Sequence, residues 1–226
     1  AKLVVTPEYF QGKKGAEPAP AVGDRPAKDA RWKKDAAISA LSALADELNI
    51  TLVFSLTTVD SGKKHNTSLA VDGEGKVAAR HFKYQLFGSE VSSYTAGDTV
   101  AQSFFDTPAG RAGLMICADA QCVVTGMTTT ADCTAHALKL TKDYSARKPA
   151  LVLFSAFWSV GPKNPTWWSM AVQKKVARDG KVWLVAANTT KGDGKGGGIW
   201  KPDGTALKTT EAVKPSIVYG ELPLKK

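Results

Sequence analysis

The sequence predicts a layered α/β or α+β fold, and three observations carry that reading. Apolar runs such as LVLF (151–154) and VWLVAA (182–187) are short, continuous and bounded by polar residues, as strands buried on both faces are. A segment from Trp32 to Leu48 repeats apolar residues at helical spacing through Ala36, Ala37, Ala40, Leu41, Leu44, Ala45 and Leu48. Strands and helices then alternate to the C-terminus, which is the pattern of packed layers rather than of a bundle or an all-β barrel.

Taken in order, AKLVV (1–5) reads as a short buried strand that ends at Thr6-Pro7-Glu8. Residues 11–30 are rich in Pro, Gly, Ala and charge, and read as an irregular surface insertion, because too little chain precedes them to form a domain. The helix to Leu48 hands over to TLVFSLTT (51–58). A hairpin follows, NTSLAVD and KVAARH around the turn Gly73-Glu74-Gly75. Strands are predicted at VAQSFFD (100–106), RAGLMIC (111–117), ALVLFSA (150–156) and VWLVAAN (182–188), with helices at about 131–145 and 166–179 between the later ones. GGGIW, the turn Pro202-Asp203-Gly204 and SIVYGEL (216–222) close the chain as β structure. No internal repeat interrupts this order, so 1–226 reads as a single domain.

Composition narrows the function classes. The chain has 226 residues, 43% hydrophobic, which is ordinary for a globular core and excludes disorder over its whole length. No apolar run approaches the roughly 18 residues a membrane span needs. Lys+Arg 30 against Asp+Glu 21 gives a net charge of +9. Eight basic and four acidic residues fall before position 35, and the rest of the excess is scattered in pairs such as Lys63-Lys64 and Lys174-Lys175. A nucleic-acid binder concentrates its charge on one face with interleaved aromatics, so no nucleic-acid partner is expected.

Cys117 stands directly after the apolar run AGLMI. The C-terminal end of a buried strand is where α/β proteins place reacting groups, although a lone Cys is also a good small hydrophobe. A thiol with a pKa of about 8.5 needs a base to become a nucleophile at neutral pH. Glu8 also ends an apolar strand, where a carboxylate must be paired or hydrogen-bonded. It is a candidate base, or equally a surface carboxylate. Lys83, in RHFKYQLFG, is flanked by aromatic and aliphatic residues and could be held beside a carboxylate; spacing alone favours a lysine lying along a strand edge. Cys117, Cys122, Cys133 and His136 make a poor zinc set, because Cys-x4-Cys is not a structural zinc spacing, and no metal site is expected. A Cys122–Cys133 disulfide fits an exported protein. GxSxG and P-loop motifs are absent, and the glycine-rich 192–198 lacks the strand-loop-helix setting of a dinucleotide loop.

In this order the segments resemble the nitrilase superfamily of carbon-nitrogen hydrolases. LVVTPE around Glu8, RHFKYQLFG around Lys83 and GLMICAD around Cys117 carry the resemblance, with LVLFSAFW (151–158), VWLVAAN and GGGIWKPDG (196–204) following. HNTSLAVDGEGKVAARHFKYQLF and FFDTPAGRAGLMICAD look especially like the biotinidase/pantetheinase branch, whose members are exported amidohydrolases. The resemblance implies a four-layer αββα sandwich and a Glu-Lys-Cys triad. Glu8 would be the general base, Cys117 the nucleophile that forms a thioester, and Lys83 with the backbone N–H of Ala118 the oxyanion donors. Glu90 aligns with a second glutamate that orients the lysine. Trp158 is a candidate for the substrate pocket, as are Trp167 and Trp168, with core packing the equal alternative. A small-molecule amide substrate is implied, with no metal or organic cofactor. Acyl transfer to an amine, or a non-catalytic nitrilase-like binder, are the rival functions. Homodimerisation is common in the family, without a sequence signal for it here.

Two departures stand out. The aromatic-Pro-Glu segment that many relatives carry after the nucleophile is replaced by AQCVVTGMTTTADC, and the interval from Cys117 to Ser155 is long. Relatives also have a strand and helix before the Glu-bearing strand. Without that unit an apolar sheet edge would lie open, so the reading expects it to come from another segment or chain. The start at Ala1, together with the branch, favours an exported, processed product.

Overall fold

The computed structural model describes residues 2–9, 16–33, 36–123, 135–158, 166–189, 197–210 and 217–223. Two β-sheets lie face to face with helices outside them. The first sheet holds β1 (Leu3–Val5), β2 (Glu17–Pro18), β3 (Thr51–Asp60), β4 (Lys63–Val71) and β5 (Val77–Phe82), in the order β1-β3-β4-β5 with β2 also on β3. β1 and β2 run parallel to β3, while β3, β4 and β5 form an antiparallel meander. The second sheet holds β6 (Phe104–Thr107), β7 (Gly110–Ile116), β8 (Leu151–Ala156), β9 (Trp183–Asn188), β10 (Gly198–Trp200) and β11 (Ala206–Thr209). Its centre, β7-β8-β9, is parallel, and both edges are antiparallel.

The layers follow from where the apolar side chains go. Val53, Ala70 and Ala79 of the first sheet meet Ala112, Leu114, Leu151 and Leu153 of the second, forming the seam between sheets. On the far side of the first sheet, Ile38 and Ala45 of α1 (Ala37–Leu48) pack on Leu52, Phe54, Leu69 and Val77. On the far side of the second, Leu140 and Tyr144 of α4 (Ala135–Arg147) and Val172, Val176 and Ala177 of α5 (Thr166–Gly180) pack on Met115, Phe154 and Leu184. The result is the αββα order the resemblance implied. Two shorter helices, α2 (Glu90–Ser93) and α3 (Asp119–Val123), sit at the strand ends.

Local chemistry explains the departures from the sequence reading. The helix starts at Ala37 rather than near Trp32, because its N-terminus is capped from a distance. Ala36 has no capping oxygen, and the Ala37 and Ile38 N–H groups donate to the two Glu17 carboxylate oxygens at 2.8 and 3.0 Å. The described part of the 11–30 stretch is therefore more ordered than an irregular insertion, with β2, a 3₁₀ turn at Pro26–Lys28 and this cap. The hairpin turn is as expected: Asp72 accepts from the Glu74 and Lys76 N–H groups, and Gly75 takes φ +72°, a conformation that favours glycine. Residues 217–222 are not a strand. Ile217 and Tyr219 are 77% and 72% exposed, and the strand next to β10 is instead Ala206–Thr209.

Candidate active site

Four chain segments converge at one end of the seam. β1 runs into Glu8, β5 into Lys83, and β7 into Cys117, while Glu90 opens α2. All four side chains are buried: Glu8 and Lys83 are each 2% exposed, Glu90 4% and Cys117 7%. An ionised group at such burial must be paired. The Lys83 ammonium is paired twice, at 2.8 Å from Glu8 Oε1 and 2.8 Å from Glu90 Oε2.

The backbone fixes these positions. Cys117 adopts φ +44°, a left-handed conformation for a residue with a side chain, between β7 and α3. Such a turn costs about 1–3 kcal/mol and persists only where the surroundings hold it. Here its N–H donates to Ser155 O at 2.9 Å and its carbonyl accepts from the Ala120 N–H at 3.1 Å. The end of β8 also holds Glu8: Ala156 O accepts the Glu8 N–H at 3.2 Å, and Ser155 Oγ donates to Thr6 O at 2.8 Å. Ser155 and Ala156 thus fix the glutamate and the cysteine in one register, across the two sheets. Among the described residues the Ala118 N–H has no hydrogen-bond partner, while those of Cys117, Ala120 and Gln121 are all used.

Three residues that the sequence reading passed over complete the arrangement. Asn66 Nδ2 donates to Glu8 Oε1 at 2.6 Å and to Glu90 Oε1 at 2.9 Å. The Tyr9 hydroxyl donates to Glu90 Oε1 at 2.6 Å, and the Phe87 N–H to Glu90 Oε2 at 3.0 Å. Asp119 is fully buried and accepts from the Tyr84, Gln85 and Ile116 N–H groups at 3.0, 2.8 and 3.2 Å. His81, set aside on sequence, lies 2.9 Å from Asp119 through Nε2 and 2.9 Å from Ser103 Oγ through Nδ1. All three members of that chain are fully buried, which makes it scaffold rather than a second nucleophile. The signal for Asn66 was present in HNTS: a polar string inside a strand that is otherwise core.

The electrostatics divide the labour. Burial and the neighbouring Glu8 push the Cys117 thiol well above its ordinary range, with Lys83 and the Phe157 N–H only partly opposing them. Burial disfavours the Lys83 ammonium, but the Glu8 and Glu90 carboxylates on either side of it outweigh that cost and hold its pKa well above the ordinary lysine value. Burial likewise opposes the Glu90 carboxylate, yet Lys83, Tyr9 and the Phe87 N–H bring its pKa below the usual carboxylate range.

Trp158 is buried in the same apolar cluster as Cys117, its ring against the Phe154 ring at 5.2 Å, and its backbone N–H donates to Asn188 Oδ1 at 2.8 Å. The Trp167 and Trp168 side chains, Cys133, the Cys122 and His136 side chains, and most of the segment after Cys117 lie outside the described residues. No group of three or more His, Cys, Asp or Glu able to hold a metal is present among the described residues, and no described helix is long and apolar enough to cross a membrane.

The family model for carbon-nitrogen hydrolases matches residues 1–226. The chain belongs to the carbon-nitrogen hydrolase family. Among curated proteins it is 26% identical to omega-amidase NIT2 of Homo sapiens over 240 residues, covering 100% of this chain and 78% of that protein. Symplectin of Sthenoteuthis oualaniensis is 28% identical over 145 residues, which is 63% of this chain and 25% of that protein. Among solved structures, Saccharomyces cerevisiae Nit3, a member of branch 10 of the nitrilase superfamily, superposes with TM-score 0.70 at 20% identity, covering 98% of this chain and 76% of that one. An amidase from Nesterenkonia sp. AN1 superposes with TM-score 0.71 at 22% identity, covering 96% and 75%. The carbon-nitrogen hydrolase assignment and the nitrilase-type sandwich therefore stand. The finer branch does not: the relatives matched along the whole chain are omega-amidases, so the comparisons point to that branch rather than to the biotinidase/pantetheinase one.

Proposed function

We propose that this carbon-nitrogen hydrolase cleaves a non-peptide amide through a thioester on Cys117. The observation that carries the reading is the Lys83 ammonium, buried between Glu8 and Glu90 beside the only described thiol. Glu8 Oε1 is occupied by Lys83 and Asn66, whereas Oε2 accepts no hydrogen bond among the described residues and is the oxygen open to act as base. Sγ attacks the amide carbon as its proton passes to Glu8. The carbonyl oxygen becomes an oxyanion, which the Lys83 ammonium and the Ala118 N–H stabilise. The C–N bond breaks as Glu8 returns the proton to the leaving amine. Water, deprotonated by Glu8, then attacks the thioester, releasing the acid and restoring the thiol. Glu90 holds the lysine in place.

Two relatives support this chemistry. Omega-amidases match along the whole chain, and in a mutant of the Nesterenkonia amidase the acetamide moiety of fluoroacetamide is attached covalently to the active-site cysteine. The test is a panel of simple amides, ω-amides, N-carbamoyl compounds, pantetheine and biotinyl conjugates, scored by ammonia or amine release. Turnover is expected to disappear in Cys117→Ala, and iodoacetamide to label Cys117 stoichiometrically. Unchanged turnover in that variant would refute the reading.

A further inference from the structure

Two carboxylates that share a buried site ordinarily share a proton as well, since like charges at close range cannot both ionise without compensation. Glu8 and Glu90 share such a site with a single ammonium between them. The second donor directed at both is the Asn66 amide on β4, fully buried and 2.6 Å from Glu8 Oε1 and 2.9 Å from Glu90 Oε1. Its orientation is set on the other side, where Ser55 Oγ of β3 donates to Asn66 Oδ1 at 3.3 Å. With Oδ1 facing a hydroxyl and Nδ2 facing two carboxylates, only this amide orientation satisfies every group. The backbone of the same residue holds the lysine, because Asn66 O accepts the Lys83 N–H at 2.9 Å.

We infer that Asn66 is a positioning residue that donates to both carboxylates and holds Glu8 turned, so that one carboxylate oxygen is held and the other is left to act as the base. The inference rests on the role of Glu8 proposed above and adds to it. A neutral donor stabilises the ionised carboxylates without adding a competing charge. It occupies Glu8 Oε1 from a rigid strand, so the carboxylate cannot rotate to offer both oxygens to Lys83. The titratable groups facing this cluster are Glu8 and Tyr9 after β1, Lys83 after β5, Glu90 of α2 and Cys117 after β7. Tyr94 stands behind Tyr9, bonded to Thr57 of β3 at 3.0 Å. His65, the neighbour of Asn66 on β4, instead stacks on Phe82.

The test reads the base through the thiol and needs no substrate. Alkylation of Cys117 by iodoacetamide, located by peptide mass spectrometry across pH, is expected to show an acid limb set by protonation of the Glu8–Glu90 pair. Asn66→Asp keeps the shape and adds a third carboxylate, so the limb is expected to move up by about one pH unit or more. Asn66→Ala removes the donor alone, and is expected to move the limb the same way by less. Combining Asn66→Asp with Glu90→Gln restores the charge count and is expected to bring the limb back. A purely structural role would lower the rate without displacing the limb. Should Asn66→Asp fail to fold by circular dichroism, Ser55→Ala, which frees the amide to turn, is expected to shift the limb in the same direction. An unmoved limb in folded Asn66→Asp, or in Ser55→Ala where that variant must decide, overturns the inference. Glu8→Gln separates the two ideas: if it labels like the wild type, the base assignment itself is wrong, whereas a slowed Glu8→Gln beside an unmoved Asn66→Asp removes only the role of Asn66.

Discussion

Lys83 is the residue on which the charge balance of the site turns. Its ammonium lies between two buried carboxylates, so removing it leaves like charges facing each other in a buried site. Breaking a buried pair on one side typically costs about 3–5 kcal/mol. Lys83→Met, which keeps the length of the side chain, is expected to lower amide turnover by about 10²–10³ through loss of an oxyanion donor. It should also change how stability depends on pH. In the wild type the folded pKa of Glu90 is depressed, so its contribution is present above the unfolded value of about 4.3 and is lost as pH falls through the folded value. The raised pKa of Lys83 acts oppositely: its contribution is full below the unfolded value of about 10.4 and is lost only as pH rises through the folded one. A stability plateau between those limits is expected in the wild type. In Lys83→Met the carboxylates favour their protonated forms, so thermal melts should show stability falling as pH rises from 4 to 7. A plateau retained in that variant would show that the pair does not carry this energy.

At the scale of elements, Asp119 ties two site-bearing loops together. Its Oδ1 accepts the Tyr84 and Gln85 N–H groups next to Lys83, and its Oδ2 accepts the Ile116 N–H next to Cys117. The start of α3 therefore sets the distance between Lys83 and Cys117. Asp119→Asn puts an amide donor where backbone donors already point, and at a fully buried position is expected to cost about 2–4 kcal/mol. Because it displaces the loops rather than the substrate contacts, kcat should fall more than KM rises; an unaltered kcat in a folded variant would separate α3 from the site. Long, apolar elements such as β7, β8 and β9 were legible in the sequence because burial on both faces leaves an unbroken apolar run. The N-terminus of α1 was not legible, because its cap is Glu17, some 20 residues distant, where local capping signals are silent. Asn66, Tyr9 and Asp119 were hidden for the same reason: their meaning lies in partners 24 to 81 residues away. Glu8, Lys83 and Cys117 were legible as chemically notable residues at strand ends and, through the blocks around them, as the triad the resemblance implied; the Glu8–Lys83 contact comes from strand order within the first sheet, and the approach of Cys117 from the docking of the second.

The whole molecule makes the site a property of that docking. Glu8 and Lys83 hang from the first sheet and Cys117 from the second, and the ties through Ser155 and Ala156 cross between them. Alanines at 70, 79 and 112 let the sheets approach, and Leu114, Leu151 and Leu153 fill the space that remains. Leu114 is fully buried there and lies on β7, the strand that ends at Cys117; its carbonyl also accepts the Tyr144 hydroxyl from α4. Leu114→Ala leaves every polar contact of the site untouched while removing core volume, at an expected cost of about 2–5 kcal/mol. If the sheets separate only on global unfolding, tryptophan fluorescence, far-ultraviolet circular dichroism and exposure of Cys117 to iodoacetamide should follow one urea transition, and the substitution should move all three midpoints down together. The residues packed between the sheets are apolar, so moderate salt should leave the coincidence intact. Cys117 becoming reactive at lower urea than the other two probes report would mean that the sheets part before the layers melt, and that the site opens by a local motion of the sandwich.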